Sequence, residues 1–233
     1  MNASPAMQRY AAEIYRLQQD HDQVPVSMLN EHVGASAQAI SQMVRRLGKR
    51  GFLVHEPYRG VRLTESGQRI AMPALRRHRL TEVFLVRIMQ YDWASAHELA
   101  DTFERGINDE LEDRMDELTG HPTRCPHGEP IPSKEGVMPP LNDVPLIDVP
   151  SGSDCAISRV RTHDYDKLRY IASLGLVPGE AFHLFSCAPF KGPLRLKMSR
   201  QDHVIGFELA KSLWVEVARR GEGNKSFGSG QAA

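Results

Sequence analysis

The apolar residues of this chain change period part-way along it, and that change limits what it can fold into. Up to about Leu118 they recur at helical spacing, as in Tyr10, Ile14 and Leu17, or Ile40, Met43, Val44 and Leu47. From Asp154 onward they alternate: Phe182-His183-Leu184, Leu194-Arg195-Leu196-Lys197-Met198, Leu213-Trp214-Val215-Glu216-Val217. Between the two regimes lies a segment, 121–132, whose prolines bar a helix, and then a Pro/Gly/Asp-rich stretch. The chain is therefore expected to be α+β, with a helical front and a small β-barrel of five or six strands behind. The expected divisions are 1–63, 64–132, a linker over 133–152, the β-rich module over 153–219 and a disordered Gly/Ser-rich tail over 220–233.

Local signals refine the front. A first helix is expected over 7–19 and a short second one over 28–32, with Ser27 as its cap. Gly34-Ala35-Ser36 breaks the pattern, and Ser36 can cap a third helix running to about Lys49. Two short strands, 52–54 and 61–63, flank a turn at Tyr58-Arg59-Gly60. Helix, Gly-containing turn, helix and a two-stranded wing make a winged helix-turn-helix. A long helical segment follows over 64–90, in which Pro73 should cause a kink or mark a second start. Helices over 94–103 and 107–118 complete an all-α layer. Its apolar surface exceeds what one layer needs, so a homodimer is expected.

Charge sorts along the chain although 29 basic residues balance 29 acidic ones. The third helix and wing are basic, and the stretch 92–117 is acidic. On the outward face of the third helix, Ser36, Gln38, Ala39, Ser41 and Gln42 are small or amide-bearing, which suits entry into a major groove. Arg45, Arg46, Lys49, Arg50 and the wing residues Arg59 and Arg62 can hold phosphates. Double-stranded DNA is the expected partner, although winged helices also serve as protein-interaction modules.

The acidic stretch carries the second chemical signal. His78-x-x-x-Glu82 is followed after a short break by His97-x-x-x-Asp101-x-x-Glu104. Residues three and four apart share a helix face, and two short-looped helices pack antiparallel. Two imidazoles and three carboxylates would then converge, a set suited to manganese, iron or zinc. Acidic and imidazole side chains also fill ordinary solvated helix faces. Cys125 and His127 form a C-x-H pair, a further ligand candidate.

Other classes find no support. No apolar run approaches the roughly 20 residues of a membrane helix, and there is no secretory signal pattern, so a soluble cytoplasmic protein is expected. Three widely spaced cysteines make no disulfide framework. Without H-E-x-x-H, G-x-S-x-G or a phosphate loop, an enzyme is not expected.

The chain resembles the diphtheria-toxin-repressor family of metal-dependent transcription regulators. The likeness is carried by Val44-Arg45-Arg46-Leu47, Leu63-Thr64-Glu65-Ser66-Gly67, Arg76-Arg77-His78-Arg79-Leu80-Thr81-Glu82, Cys125-Pro126-His127-Gly128-Glu129-Pro130-Ile131-Pro132 and Leu174-Gly175-Leu176-Val177-Pro178-Gly179. It implies an SH3-like C-terminal domain and a homodimer that binds palindromic operators when loaded with Mn(II) or Fe(II), mostly repressing metal uptake. By the same resemblance, one metal site uses His78, Glu82 and His97, completed by Cys125 and His127 or by a C-terminal residue matching Asp164. A second uses Asp101 and Glu104 with two further ligands. Arg9 and Arg105 stand at those two positions, and guanidiniums cannot be ligands. They could pair with Asp101 and Glu104 instead, which would leave this second site altered or absent. The alternative is a winged-helix regulator with a degenerate metal site that answers another signal.

Overall fold

The computed structural model describes residues 3–162, 164–199 and 201–218; the expected disordered tail over 220–233 lies outside them. Helix α1 (Pro5–Leu17) starts with Ser4, whose hydroxyl accepts from Met7 N, and with Pro5 in the first turn, where a missing N–H costs nothing. Helix α2 (Val26–Val33) ends at Gly34 with φ 63°. Helix α3 (Ala37–Lys49) begins at Ser36, which accepts from Ala39 N. Strands β1 (Leu53–Glu56) and β2 (Gly60–Leu63) pair antiparallel as the wing. Met7, Ile14, Leu29, Ile40, Leu47 and Val61 fill the core of this unit.

Helix α4 (Glu65–Arg87) is capped by Thr64 and runs through Pro73 as one helix. The expected second start is absent because Met72, Ala74 and Leu75 on either side are buried in the core that α1 also fills, while Pro73 itself faces solvent. That burial offsets the lost hydrogen bond. One helix therefore belongs both to the winged unit and to the layer behind it. Helix α5 (Trp93–Phe103) is capped by Asp92 and helix α6 (Asp109–Leu118) by Asn108. Ile88, Met89, Leu99, Phe103, Leu111 and Leu118 remain exposed on this layer.

The C-terminal unit is a six-stranded sheet in the order β3-β8-β4-β5-β6-β7. Its strands are β3 (Val144–Pro145), β4 (Ser153–Val160), β5 (Ala181–Cys187), β6 (Leu194–Met198), β7 (Asp202–Ile205) and β8 (Leu213–Val217), with α7 (Tyr165–Ser173) after β4 and a short α8 (Phe207–Ala210) after β7. Alternate residues Leu184, Leu194, Leu196, Leu213 and Val215 point into its core. The expected linker is structured at its end: residues 144–145 pair with β8, and Leu146 is fully buried. Prolines hid this strand from period analysis, since two residues are too few to show alternation. Ala94 joins the same core, so α5 packs directly on the C-terminal unit.

Two close approaches join the parts. Gly67 lies in the first turn of α4, where a Cβ would sit 1.8 Å from the carbonyl oxygen of Phe52. Gly128 has φ +86°, and a Cβ there would sit 2.0 Å from Ser158 O on β4. Gly67→Ala is expected to destabilise the protein by roughly 1–3 kcal/mol through forced displacement of α4 from the wing. The urea midpoint of unfolding checks this, and an unchanged midpoint would show that the contact yields freely.

Candidate metal centre and DNA-reading surface

Glu82 is the hub of a buried polar cavity. Its Oε1 lies 2.7 Å from His97 Nδ1, 3.3 Å from His78 Nε2 and 3.4 Å from His127 Nδ1. These side chains come from α4, from α5 and from the loop after α6. His78 and Glu82 are one helical turn apart on the buried face of α4, and their side chains are each 3% exposed. Cys125 is buried, with Sγ 3.9 Å from His127 Nδ1.

Outer contacts set the rings. His127 Nε2–H donates to Trp93 O at 2.9 Å, which turns Nδ1 toward Glu82, and the ring stacks on Trp93 at 4.9 Å. His78 Nδ1 faces Glu104 Oε2 at 3.1 Å and Asp101 Oδ1 at 3.2 Å. Its Nε2 is buried and makes no hydrogen bond among the described residues, with Glu82 Oε1 3.3 Å away. An unpartnered imidazole nitrogen aimed at a carboxylate, with a carboxylate behind the other nitrogen, fits a metal-ligating histidine. Three donor groups arise in this way: His78, Glu82 and His97; Glu82, Cys125 and His127; and His78, Asp101 and Glu104. Within each group the ligand atoms lie within 4.8 Å of one another.

The electrostatics suit a cation. Burial works against the charge on Glu82, but His127 and His78 hold its carboxyl well below the usual range. Burial and Arg16 also oppose a charge on His78, yet Glu82, Asp101 and Glu104 outweigh them and raise it to about 10. Partial burial pushes the Asp101 carboxyl up, and the His78 hydrogen bond more than reverses this, bringing it to about 2. Burial, with Glu82 beside it, pushes the Cys125 thiol well up, so without a metal it stays protonated.

Strand β4 holds the loop that supplies two of the donors. Val160 N donates to His127 O at 2.8 Å, and Arg124 donates to Gly128 O and Ser158 Oγ. Glu129, two residues on, accepts from Arg79 of α4 at 3.1 Å and from Arg159 of β4 at 3.2 Å. Arg159 is also held bidentately by Asp143 and lies 4.6 Å over the Trp214 ring.

Two sequence expectations take a particular form in the structure. Asp164 lines a neighbouring cavity with His97 and Asp101 but caps α7, accepting from Lys167 N, and belongs to none of the donor groups. The capping role is a local need of the helix that follows. Arg9 and Arg105 line a cavity with Asp101 and Glu104 but form no described ion pair with either, and the described ion-pair partner of both carboxylates is His78. Arg16, one residue short of the end of α1, is half-buried, paired with Glu13, and lines the same cavity. Its only sequence signal was the i,i+3 spacing from Glu13.

In the winged unit, Ser36, Gln38, Ala39, Ser41, Gln42, Arg45, Arg46 and Lys49 are all exposed along α3. Ser36 spends its hydroxyl on the cap. Arg45 Nε donates to Ser41 O at 3.3 Å. At the wing, Arg59 is exposed and pairs with Glu56 at 3.1 Å, beside the fully exposed Tyr58 at φ 66°.

Three stretches match family models in chain order. Residues 2–61 match the N-terminal DNA-binding domain of the iron-dependent repressors, 64–133 their metal-binding and dimerisation domain, and 144–217 the FeoA domain. Over 219 residues the chain is 30% identical to the iron-dependent repressor IdeR of Mycobacterium tuberculosis, covering 89% of this chain and 95% of that protein. It is 27% identical over 177 residues to the diphtheria toxin repressor of Corynebacterium efficiens, covering 72% of this chain and 77% of that protein. A solved manganese-dependent transcriptional repressor in complex with manganese superposes with a TM-score of 0.84 at 32% identity, over 91% of this chain and 100% of that one. The T. acidophilum IdeR structure gives 0.80 at 27% identity, over 94% and 100%.

The protonation states give a test. Below about 10, His78 carries a proton that a metal at Nε2 must displace, whereas Glu82 is already ionised. Metal affinity should therefore rise with pH, by about tenfold per pH unit for each proton released. Titrations at about pH 6.5 and about pH 8, in buffers of different ionisation heat, measure both the affinity and the proton count. A flat affinity with no proton released would exclude His78 Nε2 as a ligand.

Proposed function

The chain belongs to the iron-dependent repressor family of metal-responsive, DNA-binding regulators, and from that premise we propose that it is a homodimeric repressor whose signal is Mn(II), sensed at Glu82. The observation that carries this reading is the convergence of His78, His97 and His127 on one buried carboxylate, from three separate segments. Imidazole and carboxylate donors suit Mn(II) and Fe(II). A bound divalent cation would supply a cross-link between α4, α5 and the loop of Cys125 and His127.

The chain's own residues convert such a link into a change at DNA. Helix α4 starts at the wing and shares the core of the winged unit, so its placement against α5 sets the placement of α3. The exposed apolar residues Ile88, Met89, Leu99, Phe103, Leu111 and Leu118 offer the second copy a surface on the layer that matches the dimerisation domain. Two copies then present two recognition helices, which must lie about one DNA turn apart, ~34 Å, to read two half-sites of a palindrome. Gln42 and Gln38 are suited to base edges, and Arg45, Arg46, Lys49 and Arg59 to phosphates. No described helix is long and apolar enough to cross a membrane.

One observation favours Fe(II) as a second reading. Cys125 stands in the donor group of Glu82 and His127, and a thiolate ligand would shift preference toward the softer ion. Competition titrations of Mn(II) against anaerobic Fe(II), repeated with Cys125→Ser, separate the two. A loss of Fe(II) preference in the variant supports the thiolate role.

DNA affinity in Mn(II) is expected to exceed that in chelator by at least about tenfold, and Glu82→Gln should erase the difference. Equal affinity of the unaltered protein in both conditions would refute metal control. On the DNA side, Arg45→Ala should weaken binding to all sequences alike and flatten the salt dependence, whereas Gln42→Ala should cost about 1–3 kcal/mol at one base position. Fluorescence anisotropy against single-base operator variants distinguishes these outcomes.

A further inference from the structure

The donor groups around His78 form two lobes. The inner one gathers Glu82, His97, Cys125 and His127, and the outer one gathers Asp101 and Glu104 on His78 Nδ1. By donor type alone each lobe has an imidazole and carboxylate set that could hold a divalent cation. The arginines beside them differ: Arg16 and Arg79 line the inner cavity, and Arg9, Arg16 and Arg105 line that of Asp101 and Glu104. Arg16 reaches from α1 into the walls of three adjoining cavities, one containing His78, Glu82, His97, Cys125 and His127, one containing His97 and Asp101, and one containing Asp101 and Glu104, which Arg9 and Arg105 also line. Its side chain is 12% exposed and is ion-paired with Glu13.

We infer that the Arg16 guanidinium is the built-in counter-ion of the Asp101–Glu104 lobe, so that this lobe takes no ion and each subunit binds one divalent cation rather than two. The inference rests on the reading of the inner lobe as the sensor site. A guanidinium cannot escape burial by losing its proton, so it must be held by negative charge. Glu13 supplies one carboxylate, and Asp101, Glu104 and Glu82 all act on Arg16 in the direction that keeps it charged. The same fixed positive charge repels a dication entering beside Asp101 and Glu104. At the inner lobe the ionised Glu82 stands against it, whereas Arg9 and Arg105 line the cavity of Asp101 and Glu104 and add positive charge there.

The assignment has a structural consequence. Arg16 belongs to the helix that forms the core of the DNA-reading unit, while Asp101 and Glu104 lie at the end of the sensor helix α5 and just beyond it. A side chain of the protein, present at all metal concentrations, therefore ties α1 to the sensor layer. Only the link among α4, α5 and the Cys125–His127 loop is left to the metal.

Calorimetric titration of the intact chain with Mn(II) alone tests this, using the unaltered protein, Arg16→Met, Arg16→Lys and Asp101→Asn. The expected stoichiometry is one ion per subunit for the unaltered protein, two for Arg16→Met, one for Arg16→Lys and one for Asp101→Asn. Amide exchange in chelator gives an independent readout. Helix α1 should be protected in the unaltered protein, exposed in Arg16→Met, and protected again in Arg16→Met once Mn(II) is added. One ion in a folded Arg16→Met, or two in the unaltered protein, would overturn the inference while leaving the metal-sensor reading intact. No ion in the unaltered protein would remove both. If Arg16→Met does not fold, Asp101→Asn decides: its side chain is largely exposed, and loss of an ion from that variant would place metal at Asp101 and overturn the inference.

Discussion

The structure depends on one buried carboxylate. Taking a carboxylate out of water costs several kcal/mol, and Glu82 is compensated only because three imidazoles reach it from segments distant in sequence. Each of those segments is fixed by something else. Helix α4 is anchored in the winged core, α5 packs on the C-terminal sheet through Ala94, and the loop of His127 is bonded to β4. A change at Glu82 is thus felt by all three folding units at once. This is the geometry a sensor needs, since a ligand can shift a conformational equilibrium only by its differential interaction with the two arrangements.

The C-terminal unit acts here as a brace. The Asp143–Arg159–Glu129–Arg79 chain of ion pairs joins the sheet, the loop and α4, and the Trp214 ring covers the two arginines, Arg159 and Arg161, at 4.6 and 4.9 Å. Arg161 extends this to the turn after α1 by pairing with Asp20 at 3.0 Å. Such buried networks are costly to assemble and specific once complete. They orient Cys125 and His127 without placing a residue of the sheet itself among the donors. The cap role of Asp164 follows from the same division of labour.

Much of the fold was legible because helices and strands leave periodic traces. The cap at Ser36 and the stop at Gly34 are local chemistry, and so are the facing positions of His78 and Glu82. Other features were not legible. Pro73 signals a break, yet whether the helix survives it depends on what its flanks bury. The strand at Val144–Pro145 is too short to show a period, and it exists because β8 offers an edge. The charge on Arg16 looks like any surface arginine until α5 closes over it.

The sequence by itself therefore determined the kinds of element, the order of the units, the basic face of α3 and most of the donor residues, since each is written in spacing within one element. The tertiary structure decided which donors share a cavity, that His78 serves two lobes, that Asp164 caps α7, and that Arg16 joins Arg9 and Arg105 around the cavity of Asp101 and Glu104. Those outcomes depend on distances between elements, and such distances are set by the packing of Ala94, Gly67 and Gly128 against distant backbone and core, which no local pattern encodes.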